Sequence, residues 1–306
     1  MENLLFHSLP TAPLAALIFS IPGPILAFYL SGAAILIIGL IVILKSDLPQ
    51  AKELDKFIPF GRIFFAVPLA VFGVEHFIFA TSMANMVPSW IPWHLFWIYL
   101  VGAALIAAAL SIATGICSRL AGAMLSFMIL SFVCMLHIPN WVAHPHDRFA
   151  MAVALRDLAF SAGALALAVT PKNRPQTNWQ LAIVTITRLA IAIPMVVFGV
   201  EHFLYPSFVP VVPLERAMPA WVPAPHTFSC LIGTAMLATA LCIIVNWKSR
   251  KAAIWLGIVI LFTMATIYLP ILIAAPLDVA NAINYFADTL MMNGAVLLLA
   301  GALPKD

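Results

Sequence analysis

The chain has 306 residues, 64% of them hydrophobic and only 9% charged, with 15 basic and 12 acidic side chains and a mean hydropathy of +1.07. Soluble domains are about a quarter charged, so this complement cannot coat a soluble globule of this length. A cytosolic enzyme, a secreted disulfide scaffold and a disordered regulator are excluded. The sequence predicts an integral membrane protein whose partner is the lipid bilayer, not nucleic acid.

The first residues, MENLLFHSLPTAPLAALIF, carry Glu2 and no basic n-region, which does not fit a cleavable signal peptide. A spanning helix needs about 20 mainly apolar residues. Nine stretches qualify: 22–44, 60–82, 93–114, 119–138, 149–169, 181–204, 226–246, 251–272 and 281–302. Prolines 10, 13, 22 and 24 break the start of the first, so residues 11–21 are a candidate for a separate short apolar segment. Breaks between spans fall at charged or Pro-rich stretches such as 46–56, 171–176 and 246–251. The cysteines, Cys117, Cys134, Cys230 and Cys242, form no C-x-x-C pair and read as small packing residues.

The basic residues set the orientation. With nine spans, Lys45, Lys52, Lys56, Arg62, Arg119, Lys172, Arg174, Arg188, Lys248, Arg250, Lys251 and Lys305 share one side, leaving Arg148, Arg156 and Arg216. Positive residues collect in cytoplasmic loops, which predicts the N-terminus outside and the C-terminus inside. For a bacterial cell that places the chain in the cytoplasmic (inner) membrane.

Within this frame the sequence is duplicated. VFGVEHF occurs at 71–77 and again at 197–203, with Arg62 matching Arg188 and Pro68 matching Pro194. VPSWIP (87–92) matches MPAWVP (218–223) five residues later in register, and that register persists. Gly102 matches Gly233, Arg119 matches Arg250, Pro139 matches Pro270, Asp157 matches Asp288 and Gly163 matches Gly294. The expected architecture is all-α: about nine transmembrane helices, as two parallel-repeat four-helix bundles plus one extra N-terminal helix. The divisions are 1–57 (N-terminal helix and cytoplasmic loop), 58–176 (first unit) and 177–306 (second unit). An even number of spans per unit relates the units by an axis along the membrane normal.

An Arg opening the first helix, an F-G-x-x-H-F motif, a P-x-W-x-P segment, and an Asp and a Gly on the last helix of each unit together resemble the DoxX-like membrane family. The resemblance covers about 58–169 and 184–304, and the tandem fusion with a leading helix departs from the single unit common in that family. It implies association with membrane oxidoreductase complexes and quinone chemistry, with a redox partner protein or larger membrane complex. Whether the chain is itself an enzyme stays open.

Ionisable groups inside a span cost about 2.5–3.5 kcal/mol each at a helix centre on insertion scales, which marks them as candidate sites. They are Glu75, His76, His137, Arg156 and Asp157, and in the second copy Glu201, His202 and Asp288, where Tyr268 stands for His137 and Ala287 for Arg156. At about 1.5 Å per residue, Glu75, His137 and Asp157 all land in the outer half of the bilayer. Trp90, Trp93, His94 and Trp97 lie near the start of the third span; Trp141, His144, His146, Asp147 and Arg148 follow the fourth. The matching second-copy stretch lacks those histidines and the arginine, so the first copy reads as the working one and the second as scaffold. The bland reading has Glu75 paired with Arg156 and the tryptophans as an interfacial belt. The sharper reading is a quinone, with Glu75 or His76 exchanging the proton, Arg156 and Asp157 holding the carbonyl end, and Trp93 or Trp97 stacking. Haem between His76 and His137, and a metal at His94, His144, His146 and Asp147, are weaker alternatives. Pro68 and Pro194 should kink their helices and open space below Glu75 and Glu201. No flavin, iron–sulfur or nicotinamide motif is recognisable. A non-catalytic assembly or anchor subunit and a small-solute or ion transporter are the competing functions.

Overall fold

The computed structural model describes residues 21–170, 177–212 and 216–305. The candidate apolar segment before residue 21, Lys172 and Arg174 lie outside the described residues. Among those described, nine helices are long and apolar enough to cross a membrane. They are α1 (Gly23–Lys45), α2 (Phe60–Ile78), α3 (His94–Thr114), α4 (Ser118–Ala143), α5 (Arg148–Val169), α6 (Asn178–Leu204), α7 (Pro225–Ile244), α8 (Ser249–Ala274) and α9 (Val279–Ala302). The protein is all-helical and multi-pass. Only one isolated bridge, Phe208 with Ala217, breaks the pattern among the described residues.

Local sequence explains where these helices start and bend. α1 begins at Gly23, with Pro22 at its N-cap and Pro24 in its first turn, where a missing N–H costs nothing. Asp147 caps α5, its carboxylate accepting from the Phe149 and Ala150 N–H groups at 2.9 and 3.2 Å. α4 and α8 each contain one π-helical turn, Val133–His137 and Met264–Tyr268, directly before Pro139 and Pro270. A proline ring clashes with the carbonyl four residues back, and widening the preceding turn relieves that clash. Pro68 and Pro194, in contrast, lie within continuous helices.

The helices form a ring in which α2 through α9 each touch the next, and α9 returns to α2, with α5 and α9 meeting across the middle. α1 lies outside the ring against α2 and α3. The first helix of each sequence copy packs on the last helix of the other, α2 on α9 and α6 on α5. α6 also touches α9, more lightly than it packs on α5. Small residues allow the closest crossings. A Cβ on Gly73 would lie 2.9 Å from the Gly102 carbonyl oxygen, and one on Gly102 3.0 Å from that of Gly73. At the α5–α9 contact, a Cβ on Gly163 would lie 2.5 Å from that of Ala295. In lipid, where apolar surface gains nothing by leaving the solvent, such backbone approach drives helix association.

At one end of the ring four arginines act alike. Arg62 at the start of α2 donates to the Ile112 carbonyl in the last turn of α3 (3.2 Å), and Arg119 of α4 to Ala168 of α5 (3.1 Å). Arg188 of α6 donates to Ile243 of α7 (3.0 Å), and Arg250 of α8 to Ala300 of α9 (2.9 Å). Each cation donates to a carbonyl at the negative end of the next helix. Arg62 and Arg250 also pair with Asp47 and Asp55.

Candidate functional site

Most of the ionisable residues picked from the sequence gather at the opposite end, near the α5–α9 contact. α5 presents adjacent Arg156 and Asp157, and α9 presents Asp288. Arg156 donates from Nε to Asp157 Oδ1 at 2.9 Å and from a terminal nitrogen to Asp288 Oδ2 at 2.6 Å. One guanidinium is thus clamped between the two aspartates that occupy matching positions in the two sequence copies. All three side chains are less than one-fifth exposed. The fifth residue of the α4 π turn, His137, completes the row: its Nε2 lies 2.9 Å from Asp157 Oδ2.

Glu75 does not pair with Arg156. It is buried on α2 and accepts from Asn284 Nδ2 of α9 at 3.0 Å. Asn284 and Asp288 are four residues apart and share one face of α9, so Arg156 and Glu75 bind neighbouring points along the same helix. The reason for the exchange is the cross-copy packing of α2 on α9. Asn284 Oδ1 is itself buried without a hydrogen-bond partner.

In the second copy Glu201 accepts from Arg148 at 3.1 Å. That guanidinium also lies over the rings of Tyr205 (4.1 Å) and Phe208 (4.8 Å). Here too the arginine and its carboxylate come from different copies. His202 is buried and accepts from the Val211 N–H at 2.9 Å, while Tyr268 donates to the Pro210 carbonyl. His76 points Nδ1 at the Phe72 carbonyl, 2.7 Å away.

The tryptophans stay apart from this cluster. Trp93 is 78% exposed, and Trp97 donates to the Pro92 carbonyl beside the Phe96 ring. His94 starts α3, and His144 folds back on the Asn140 carbonyl. Among the described residues no three His, Cys, Asp or Glu side chains are grouped to hold a metal ion. All four cysteines are free; Cys117 and Cys134 are exposed rather than packed.

A cavity of about 420 Å³ lies beside Pro68, between α1, α2, α8 and α9, at the level expected below Glu75. Its walls are almost wholly apolar, with Gly32, Phe64, Val71, Met264 and Ala287 among them. Exposed Ala33 and Leu36 on α1, with Leu269 on α8, form its lipid-facing rim. Val71 sits one turn below Glu75, and Ile283 of the wall precedes Asn284.

Sequence reading missed Asn284, Arg148 as a partner of Glu201, and Tyr29, whose hydroxyl donates to the Pro276 carbonyl at 2.7 Å next to the cavity. Asn284 was hidden because an uncharged amide raises no alarm in a span. Arg148 read as loop because it is the first residue of its helix.

A family described as a domain of unknown function, DUF8561, matches residues 65–138. The match takes in Glu75, His76 and His137. No curated protein and no solved structure matches the chain.

Proposed function

We propose that the chain is a DoxX-like subunit of a membrane redox complex that draws a lipid-soluble quinone from the bilayer. The observation that carries this reading is the apolar cavity of about 420 Å³ with its rim in the lipid-facing surface. Ligand sites of roughly 300–1,000 Å³ with apolar walls and a few polar groups are the usual form. A quinone ring and the first part of its tail fit that volume. A headgroup reaching past the apolar lining, beyond Val71 and Ile283, would meet Glu75 with Asn284, where a buried amide oxygen has acceptor capacity to spare. The site thus lies between the two copies, not inside the first, and Trp93 and Trp97 serve as interfacial anchors. A bound quinone would supply two-electron redox chemistry; Glu75 would hold or release the accompanying proton, and Asn284 would orient it. In this reading the chain comprises two parallel four-helix units, N-terminus outside, in the cytoplasmic membrane. The repeated π turns and the repeated arginine caps support that duplication.

The test is lipid extraction of the purified protein together with binding of decylubiquinone. Co-purifying quinone, lost in an Ala33→Phe variant that closes the rim, is the expected result. Protein free of quinone that fails to bind decylubiquinone would overturn the reading. A non-catalytic anchor is the second reading, favoured by the complete pairing of Arg156 with Asp157 and Asp288. It predicts stoichiometric partners and no quinone.

A further inference from the structure

Hydrogen-bond donors and acceptors are unevenly shared around the cavity beside Pro68. Val71 of its wall lies one turn below Glu75, and Ile283 of its wall adjoins Asn284. Asn284 donates from Nδ2 to Glu75 Oε1 at 3.0 Å. An ionised carboxylate can only accept, so this contact fixes which way the amide faces. The amide oxygen, Oδ1, is left buried without a partner. A carboxylate offers about four acceptor sites, and the bond from Asn284 uses one of them. Tyr29 of the cavity wall donates its hydroxyl hydrogen to the Pro276 carbonyl at 2.7 Å, which leaves its oxygen only lone pairs for an incoming group. The nearest guanidinium is committed as well: Arg156 donates to Asp157 and to Asp288, one turn beyond Asn284 on α9. One N–H of the Asn284 amide remains. Acceptor sites therefore outnumber free donors at this end of the cavity.

The other end is different. Leu261 and Leu290 belong to the wall, and one turn beyond them lie Gly257 of α8 and Asn293 of α9. Asn293 is fully buried, and neither its Oδ1 nor its Nδ2 has a partner. A free amide offers donor and acceptor alike, so it favours neither kind of ligand oxygen.

We propose that the Glu75–Asn284 end selects the reduced, hydroxyl-bearing form of the ligand, a hydroquinone, over the oxidised quinone. The selection rests on the quinone reading of the cavity and adds which redox form the site holds. A hydroquinone turned with one O–H toward this end donates to the Glu75 carboxylate beside the free amide oxygen. A quinone brings a carbonyl oxygen, which can only accept, to a place already rich in acceptors. Sites built for a ligand hydroxyl reject the analogue that lacks it, because their own polar groups are then left unpaired. A hydrogen bond to an ionised group is the stronger kind, so Glu75 contributes more of the preference than Asn284.

The test compares decylubiquinol, decylubiquinone and the dimethyl ether of decylubiquinol as ligands of the full-length protein in detergent, with Kd from thermal-shift titrations. The quinol should bind about tenfold or more tightly than the quinone. A tenfold preference raises the two-electron midpoint potential of the bound couple by about 30 mV, which a redox titration reads independently. The dimethyl ether keeps the ring and loses both O–H donors, so it should bind no better than the quinone. Glu75→Gln replaces one acceptor oxygen with an NH2 donor and should bring the two redox forms within about threefold of each other. Asn293→Leu should leave the preference intact. Quinone or ether that binds as tightly as the quinol would overturn the selection while the quinone reading stands. A preference lost in Asn293→Leu and kept in Glu75→Gln would overturn its placement at Glu75. Binding of neither redox form would overturn the quinone reading and the selection together. If Glu75→Gln does not fold, the ether and the midpoint potential of the wild-type protein still decide.

Discussion

Replacing Arg156 by Ala should be among the most damaging single changes in the chain, and moving the arginine to the matching position should repair it. Arg156 contacts carboxylate oxygens at 2.9 and 2.6 Å, one from each sequence copy. A unit charge pair about 4 Å apart is worth about 4 kcal/mol at an effective dielectric near 20. Two such pairs are offset by desolvation of the guanidinium, and breaking buried pairs in general costs about 3–5 kcal/mol because a charge is left uncompensated. Arg156→Ala leaves Asp288 buried without its cation and Asp157 with His137 as its remaining ionisable partner. A loss of about 3–5 kcal/mol is expected in an SDS-titration unfolding curve followed by tryptophan fluorescence. Ala287 is buried in the second copy at the position of Arg156. If Asp157 and Asp288 flank a pseudo-twofold axis, an arginine at 287 has its neighbour Asp288 and, across the axis, Asp157. Arg156→Ala combined with Ala287→Arg should then recover at least half of the loss. Because Ala287 also lines the cavity, the rescued protein should have lost decylubiquinone binding. A double variant no more stable than Arg156→Ala alone would refute the symmetric clamp, and a single variant within about 1 kcal/mol of wild type would refute the energetic argument itself.

Three further outcomes follow from packing and capping. Gly294→Val places a Cβ 2.5 Å from the Phe65 backbone nitrogen, and overpacking of this kind should cost at least about 1–3 kcal/mol in the same unfolding assay. Asp147→Ala removes the cap of α5 and should cost about 0.5–2 kcal/mol, with Asp147→Asn retaining most of the stability. Arg148→Met should destabilise by about 3 kcal/mol by leaving Glu201 buried, and adding Glu201→Gln should return most of that, read as a double-variant cycle.

Span positions were legible because a bilayer imposes a length, and the nine stretches read from composition agree with the helices to within a few residues, except that α4 runs on to Ala143. The participants in the cluster were legible for a similar reason: charge is rare here, so every charge inside a span stands out. Their pairing was not. Glu75 and Asn284 are 209 residues apart, and no local pattern says that α2 turns toward α9 rather than α5. The one-sided arginines carry a double meaning that sequence alone also conceals. Arg62, Arg119, Arg188 and Arg250 count toward orientation, yet each also closes the end of a neighbouring helix. The peptide between Pro210 and Val211 escaped notice because a loop five residues longer looks like tolerated length until its backbone is seen bonded to Tyr268 and His202.

The ring also dictates an order of assembly during synthesis. α9 is made after the other eight described spans and is the least apolar of them, with a mean hydropathy of 1.3 against 2.6 for α1. Asp288, Thr289 and Asn293 are buried along it, so it is poorly suited to wait alone in lipid. Until it arrives, α2 lacks the neighbour that fits Gly61 and Phe65, and Arg156 lacks one of its two aspartates. The earlier helices therefore cannot finish as they emerge. The nascent protein stays an open arc until α9 is made, and α9 then acts as the keystone that locks helices made about two hundred residues before.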